Sequence, residues 1–263
     1  MTAAITIGLF ACGVSLLTLF SGFGLGTLLM PAFALFLPVE VAVASTAIVH
    51  AANNVFKVGL LAGGAERGVV LRFGLPAIVA SFAGALALTT LSSQEPLATW
   101  SFLGRSAHVT PAKLIMGLLI LGFALFELVP ALRSLRAPLR WLPVGGLLSG
   151  FFGGLSGHQG ALRAVFLTPL GLSPTRFAST QAVLALMVDG ARLVVYGWSF
   201  AALSAAGNGV EIPWPLVAVA TLSAFAGAFV GKRLLPKVSY AGLHRLVGIL
   251  LLVVGIGLAA GIV

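Results

Sequence analysis

The few polar side chains inside this chain's apolar stretches fall into a pattern that occurs twice. Ser21-Gly22-Phe23-Gly24-Leu25-Gly26 is followed by Ala44-Ser45-Thr46, then by Asn54 and Lys57. Ser156-Gly157-His158-Gln159-Gly160 is followed by Ala178-Ser179-Thr180, then by Asp189 and Arg192. In each copy an amide or acid precedes a cation by three residues. A glycine-rich tip that opens a helix leaves the first amide N–H groups without intrahelical partners. Those donors, together with the positive end of the helix, attract an anion, and glycine lets it approach the backbone closely. The chemistry on offer is anion binding by Gly22, Phe23, Gly24 and Gly26 from one tip and by Ser156, Gly157, His158, Gln159 and Gly160 from the other. Packing of small residues in lipid is the plainer use of such glycines.

Side chains around the tips extend the pattern. His50, Asn53, Asn54 and Lys57 are spaced i, i+3, i+4, i+7 and share one helical face. Gln181, Asp189 and Arg192 lie on related turns of a second helix. Charges at membrane depth are costly and face protein or a watery cavity. Lys57 and Arg192 can attract an anion, while Asp189 can hold Arg192 or carry a coupling proton. The structural alternative is a buried Asp189–Arg192 pair with Lys57 snorkelling to the head groups. Arg163 follows the second tip by one turn; its guanidinium can fork onto an oxyanion or clamp hairpin carbonyls. His158 can couple a proton to the anion or simply fix the tip. Glu127, near the end of its helix, reads as interfacial.

The elements that must position these residues are membrane helices. Hydrophobic residues make up 59% of the 263 and charged residues only 8%. That is far too few charges to coat a water-soluble globule, so lipid must cover most of the outside. Full crossings fit residues 41–61, 69–91, 111–132, 177–200, 214–230 and 240–263. Residues 3–37 and 144–172 read instead as pairs of helical arms joined at the glycine tips, with Pro31 and Pro169 in the second arms. The stretch 92–110 reads as a loop. Phe82-Ala83-Gly84-Ala85 recurs as Phe225-Ala226-Gly227-Ala228.

The predicted fold class is therefore an all-α membrane protein of two repeats, each a glycine-tipped helical hairpin plus three transmembrane helices. It has about eight spans if each hairpin counts as one re-entrant span. Residues 1–132 form the first repeat, 133–140 a basic cytoplasmic linker, and 141–263 the second repeat. Arg133, Arg136 and Arg140, like Lys232, Arg233, Lys237 and Arg245, mark cytoplasmic loops, and the Gly207 loop lacks basic residues. Each repeat then crosses an odd number of times, so the second enters from the opposite face and both termini lie outside. Arg105 and Lys113 run against this count. The first positive charge is Lys57, so the opening apolar segment is expected to be retained.

The formal charge of +9 forms no dense run, which argues against a nucleic-acid partner and for anionic head groups. Cys12 is the single cysteine, which excludes an intrachain disulfide or a cysteine metal cluster. The expectation is no cofactor, no metal and no catalysis. The partners are the lipid bilayer and a small anionic substrate, with protons or sodium as candidate coupling ions.

On three stretches the chain resembles the sulfite exporter TauE/SafE family, also called the sulfonate uptake permeases. They are Ser21-Gly22-Phe23-Gly24-Leu25-Gly26-Thr27-Leu28-Leu29-Met30-Pro31, the helix over 39–57, and Leu155-Ser156-Gly157-His158-Gln159-Gly160-Ala161-Leu162-Arg163. The resemblance runs over essentially the whole chain. It implies a multi-pass transporter of the bacterial inner (plasma) membrane that moves sulfur-containing anions such as sulfite, sulfonates or sulfoacetate-like compounds. The family's second tip usually carries more glycine than His158-Gln159, a departure that marks a distinct subgroup.

The mechanism expected is alternating access, with one anion held by amides of Gly24, Gly26, His158 and Gly160 and charge from Lys57, Arg163 or Arg192. An anion channel shares the donor-lined centre but lacks alternating gates. Gly154-Leu155-Ser156-Gly157 also matches the G-x-S-G pattern of rhomboid-type intramembrane proteases, with His50 and Asn54 imitating a second element. The only later histidine, His244, lies in a basic loop, and a serine nucleophile needs a base within reach.

Overall fold

A computed structural model of the chain describes residues 2–18, 25–61, 64–102, 104–207, 211–234 and 240–262. The helices follow the apolar runs. In order they are α1 (Thr2–Thr18), α2 (Leu25–Ala34), α3 (Val39–Leu60), α4 (Arg67–Ser92), α5 (Pro111–Leu128), α6 (Pro130–Arg133), α7 (Leu142–Ser156), α8 (Gly160–Leu167), α9 (Pro174–Ala205), α10 (Trp214–Leu234) and α11 (Tyr240–Ala259). Local chemistry sets several boundaries. Thr110 caps α5 by accepting from the Lys113 N–H at 3.2 Å, and Ser173 caps α9 by accepting from Arg176 N–H at 3.4 Å. Proline occupies the first turn in both, where its missing donor costs nothing. Pro130 ends the predicted 111–132 helix at Leu128 and starts the short α6.

The chain is an all-α membrane protein. Five helices (α3, α4, α5, α9 and most of α10) are long and apolar enough to cross a bilayer. The hairpin arms are shorter. At 1.5 Å per residue α2 and α8 reach only about 15 and 12 Å, against a hydrocarbon thickness of about 30 Å. The arms α7 and α8 meet at the predicted second tip. The first tip, Ser21, Gly22, Phe23 and Gly24, lies outside the described residues.

The stretch 92–110 is not only loop. Strands β1 (Ala98–Phe102) and β2 (Arg105–Val109) pair antiparallel, with Thr99 opposite His108 and Trp100 opposite Ala107. The Trp100 indole N–H donates to the Ala260 carbonyl at 2.8 Å and His108 N–H to that of Gly261 at 3.1 Å, so the hairpin docks on the end of α11. Five-residue strands flanked by long helices leave little periodicity to read.

Backbone contacts at glycine define how the helices run together. A Cβ on Gly146, Gly150 or Gly154 of α7 would strike the carbonyl of Phe73, Ala77 or Ser81 of α4, in that order. The two helices are therefore parallel and touch backbone to backbone. A Cβ on Gly8 of α1 would meet Val219 and Ser223 of α10 at 3.1 and 3.2 Å. One on Gly227 or Gly231 of α10 would meet the Cys12 or Leu16 carbonyl of α1. This pair is parallel too. By contrast α5 and α11 are antiparallel, Gly117 meeting Ala259 and Gly248 meeting Leu128. The recurring Phe-Ala-Gly-Ala motif has one job in both places. Gly84 abuts α7 at the Phe151 carbonyl, and Gly227 abuts α1.

Close approach of this kind tolerates no methyl group. Gly150→Ala is expected to lower stability by about 1–3 kcal/mol through overpacking against the Ala77 carbonyl. Gly122→Ala, whose Cβ would meet no atom within 4 Å, should be silent; unfolding midpoints of the two purified variants in detergent check this.

Candidate functional site

The site forms where α3 and α9 cross antiparallel at the centre of the molecule. Asp189 of α9 is fully buried, and its carboxylate gathers donors from three elements. His50 of α3 places Nδ1 2.7 Å from Oδ2, and the Asn54 amide donates to the same oxygen at 3.2 Å. A carboxylate only accepts, so the His50 proton sits on Nδ1. Arg192, one turn along α9, gives Oδ1 two bonds, from Nε at 3.1 Å and Nη2 at 2.7 Å. Gln159 of the second tip adds a longer contact from Nε2 at 3.5 Å. A buried acid is tolerated when it is paired and hydrogen-bonded in this way.

The second tip is shaped by its backbone. Gly157 takes φ +79°, the left-handed conformation that ends α7, and a Cβ there would also lie 2.8 Å from Arg192 Nη1. The last carbonyls of α7 carry negative partial charge, which repels an anion. Arg192 Nη1 donates to the Gly153 carbonyl at 3.3 Å, and the Tyr196 hydroxyl donates to that of Gly154. These two α9 side chains cover the unfavourable helix end. The N-terminus of α8, beginning at Gly160, is the favourable one, and Arg163 stands on its first turn.

The tip meets the other half of the chain. A Cβ on Gly26, in the first turn of α2, would lie 3.2 Å from the Gly157 carbonyl and 3.8 Å from His50 Cγ and Thr46 Cγ2. The described part of the first tip helix therefore converges with the second tip and with the polar face of α3. Asn53 faces α1, where the Ser15 hydroxyl donates to its Oδ1 at 3.4 Å.

Two cations remain without an acid. Lys57 is 6% exposed and Arg163 2% exposed, and among the described residues neither has a carboxylate within 4 Å. Arg163 Nη1 reaches Gln159 Oε1 at 3.4 Å, and its Nε has no partner among the described residues. The hydroxyls of Ser45, Thr46 and Ser179, from the repeated Ala-Ser-Thr triplets, are buried and equally without partners there.

Other predicted residues sit differently. His158 stacks on Phe123 with centroids 5.4 Å apart, and its Nδ1 lies 3.0 Å from the Ser156 carbonyl. Ser156 donates to the Phe152 carbonyl at 2.9 Å, and the His158 N–H donates back to its hydroxyl at 3.4 Å. Lys57 is buried in protein rather than extended to the surface. Glu127 is buried inside the protein, 1% exposed, against Gly248 of α11. Sequence reasoning set His50 on the polar face without a role, and missed Tyr196. Asp189, Arg192 and Tyr196 follow i, i+3, i+7 spacing, which would have found the tyrosine.

Multiple crossing helices around a buried, net-cationic centre define a multi-pass membrane protein of transporter type. A family model described as Sulfite exporter TauE/SafE matches residues 7–258. The chain belongs to that family of membrane transporters. No curated protein matches it.

Removing one member of the central ion pair leaves its partner charged and unpaired. Asp189→Asn is expected to destabilise by about 3–5 kcal/mol. Adding Arg192→Gln to Asp189→Asn should recover part of that loss, measured as detergent-solubilised unfolding midpoints of both variants.

Proposed function

We propose that this protein is a secondary transporter that moves a small sulfur-containing or organic anion, of the sulfite, sulfonate or sulfoacetate-like kind, across the bacterial inner membrane by alternating access. The observation that carries this reading is the pair of buried cations, Lys57 on α3 and Arg163 on the first turn of α8, neither with a carboxylate within 4 Å among the described residues. Buried charge is stable only when compensated, and an oxyanion supplies the missing compensation. Asp189 and Arg192 balance one another, so the charge offered to a ligand comes from Lys57 and Arg163.

The roles divide accordingly. The Arg163 guanidinium binds the oxyanion, its Nε free to complete a fork with a terminal nitrogen. Lys57 adds a point charge, and the amides at Gly26 and Gly160 line the anion's backbone side. The hydroxyls of Ser45, Thr46 and Ser179 are further donors. The fixed Asp189 cluster orients the tip. Protons or sodium would couple the movement.

Two repeats, 1–132 and 141–263, inserted with opposite topology around the 133–140 linker explain the helix directions. An inverted copy makes α1 run with α10 and α7 with α4, and makes α3 oppose α9 and α5 oppose α11. A copy inserted in the same sense would reverse all four relations. Each half can then rock against the other around the shared centre. A channel needs no such exchange, and the Ser156 hydroxyl, which a serine hydrolase would set on a base, donates to the Phe152 carbonyl.

Arg163→Ala should abolish saturable anion uptake into proteoliposomes while the protein still folds and inserts. Counterflow of labelled sulfite driven by unlabelled sulfite should appear with the unsubstituted protein. Ionic current without counterflow would replace the transporter reading with a channel, and unchanged uptake by Arg163→Ala would remove Arg163 from the site.

A further inference from the structure

A cavity of about 670 Å³ opens between α3, α9 and the start of α10. Its rim is exposed and includes Ala201, Glu211 and Trp214, whereas its floor is the buried pair Ala44 and Tyr196. Tyr196 is 3% exposed. One and two turns behind it on the same helix stand Arg192 and Asp189, and its hydroxyl is bonded to the Gly154 carbonyl of α7. The aromatic ring therefore separates an open vestibule from the charged centre. The Tyr196–Gly154 bond, together with Arg192 Nη1 on the neighbouring Gly153 carbonyl at 3.3 Å, ties the α9 wall to the tip-bearing helix at that level.

The opposite ends of α3 and α9 are bridged by polar contacts among the described residues. Glu66, just before α4, pairs with Arg176 in the first turn of α9, and the Glu66 N–H donates to the Thr180 hydroxyl at 2.9 Å. Lys232 of α10 closes over the last turn of α3, donating to the Leu60 carbonyl at 3.1 Å. Among the described residues, the vestibule thus lies at one end of the α3–α9 crossing and these bridging contacts at the other.

We infer that Tyr196 is the gate of this open side: its hydroxyl, held by the Gly154 carbonyl, bars the vestibule from the buried cationic centre, and access requires that bond to break. The inference rests on the transport reading for its purpose but not for its geometry. The bond is well placed for the task. Gly154 lies in the last turn of α7, three residues before the corner at Gly157, so releasing it also frees a carbonyl of the helix end that Tyr196 neutralises. An anion arriving at the centre supplies a competing acceptor for the hydroxyl. A hydrogen bond from a neutral phenol is strong enough to hold a ring and weak enough to open without large cost.

Thiol labelling tests the gate without any substrate. In a Cys12→Ser background, Ala201→Cys reports the vestibule and Thr46→Cys reports the space behind Tyr196, where Thr46 is fully buried beside Gly26. The probe is the anionic reagent 2-sulfonatoethyl methanethiosulfonate, applied to the purified protein in detergent. Ala201→Cys should react readily, and Thr46→Cys slowly. Adding Tyr196→Phe should speed Thr46→Cys labelling about five- to tenfold, as loss of one hydrogen bond allows, and leave Ala201→Cys unchanged. An unreactive Ala201→Cys, or a Thr46→Cys rate indifferent to Tyr196→Phe, overturns the gate. If Tyr196→Phe raises both rates together through loosened folding, Tyr196→His decides, because it keeps a ring donor. Slow Thr46→Cys labelling in that variant supports the gate and fast labelling overturns it. A wrong transport reading would show separately, as absent sulfite counterflow with the labelling difference intact.

Discussion

Burial of the Asp189 carboxylate constrains nearly everything around it. A lone carboxylate in an apolar interior is costly by many kcal/mol, so its oxygens must be occupied by donors at hydrogen-bond distance. His50 and Asn54 come from α3, Arg192 from α9 and Gln159 from the tip between α7 and α8. Meeting those distances together sets the register of α3 on α9 and the orientation of the tip. A slide of one residue along either helix would carry the donors to another face and leave the charge bare.

The same acid governs what Arg192 can do. Held by Asp189 through two bonds, it spends its remaining terminal nitrogen on the Gly153 carbonyl. Arg192 is thereby a structural cation, whereas Lys57 and Arg163 keep their charge available. Three basic side chains that look interchangeable in sequence divide into one fixed and two free by the position of a single carboxylate.

Glycine supplies the second constraint. In lipid there is little hydrophobic force between helices, and close van der Waals contact must hold them. The α4–α7 and α1–α10 pairs achieve it by placing glycines of one helix on carbonyls of the other. Each of these pairs joins a helix of the N-terminal half to one of the C-terminal half. Within α7 the glycines serve both needs: Gly146, Gly150 and Gly154 pack, while Gly157 turns the chain.

The apolar runs by themselves determined the membrane environment, the helix positions and the two-armed second hairpin, because hydrophobic length and proline or glycine punctuation are local properties. The polar spacing also placed His50, Asn54 and Lys57 on one face and marked Asp189, Arg192 and Arg163. Only tertiary structure decided which charge meets which. Asp189 chooses His50 as well as Arg192, Tyr196 reaches a carbonyl in another helix, Glu127 turns inward, and His158 stacks on Phe123. The short strands at 98–109 likewise emerged only from their docking on α11. Such outcomes depend on residues distant in the chain arriving at the same point, and no local pattern carries that distance.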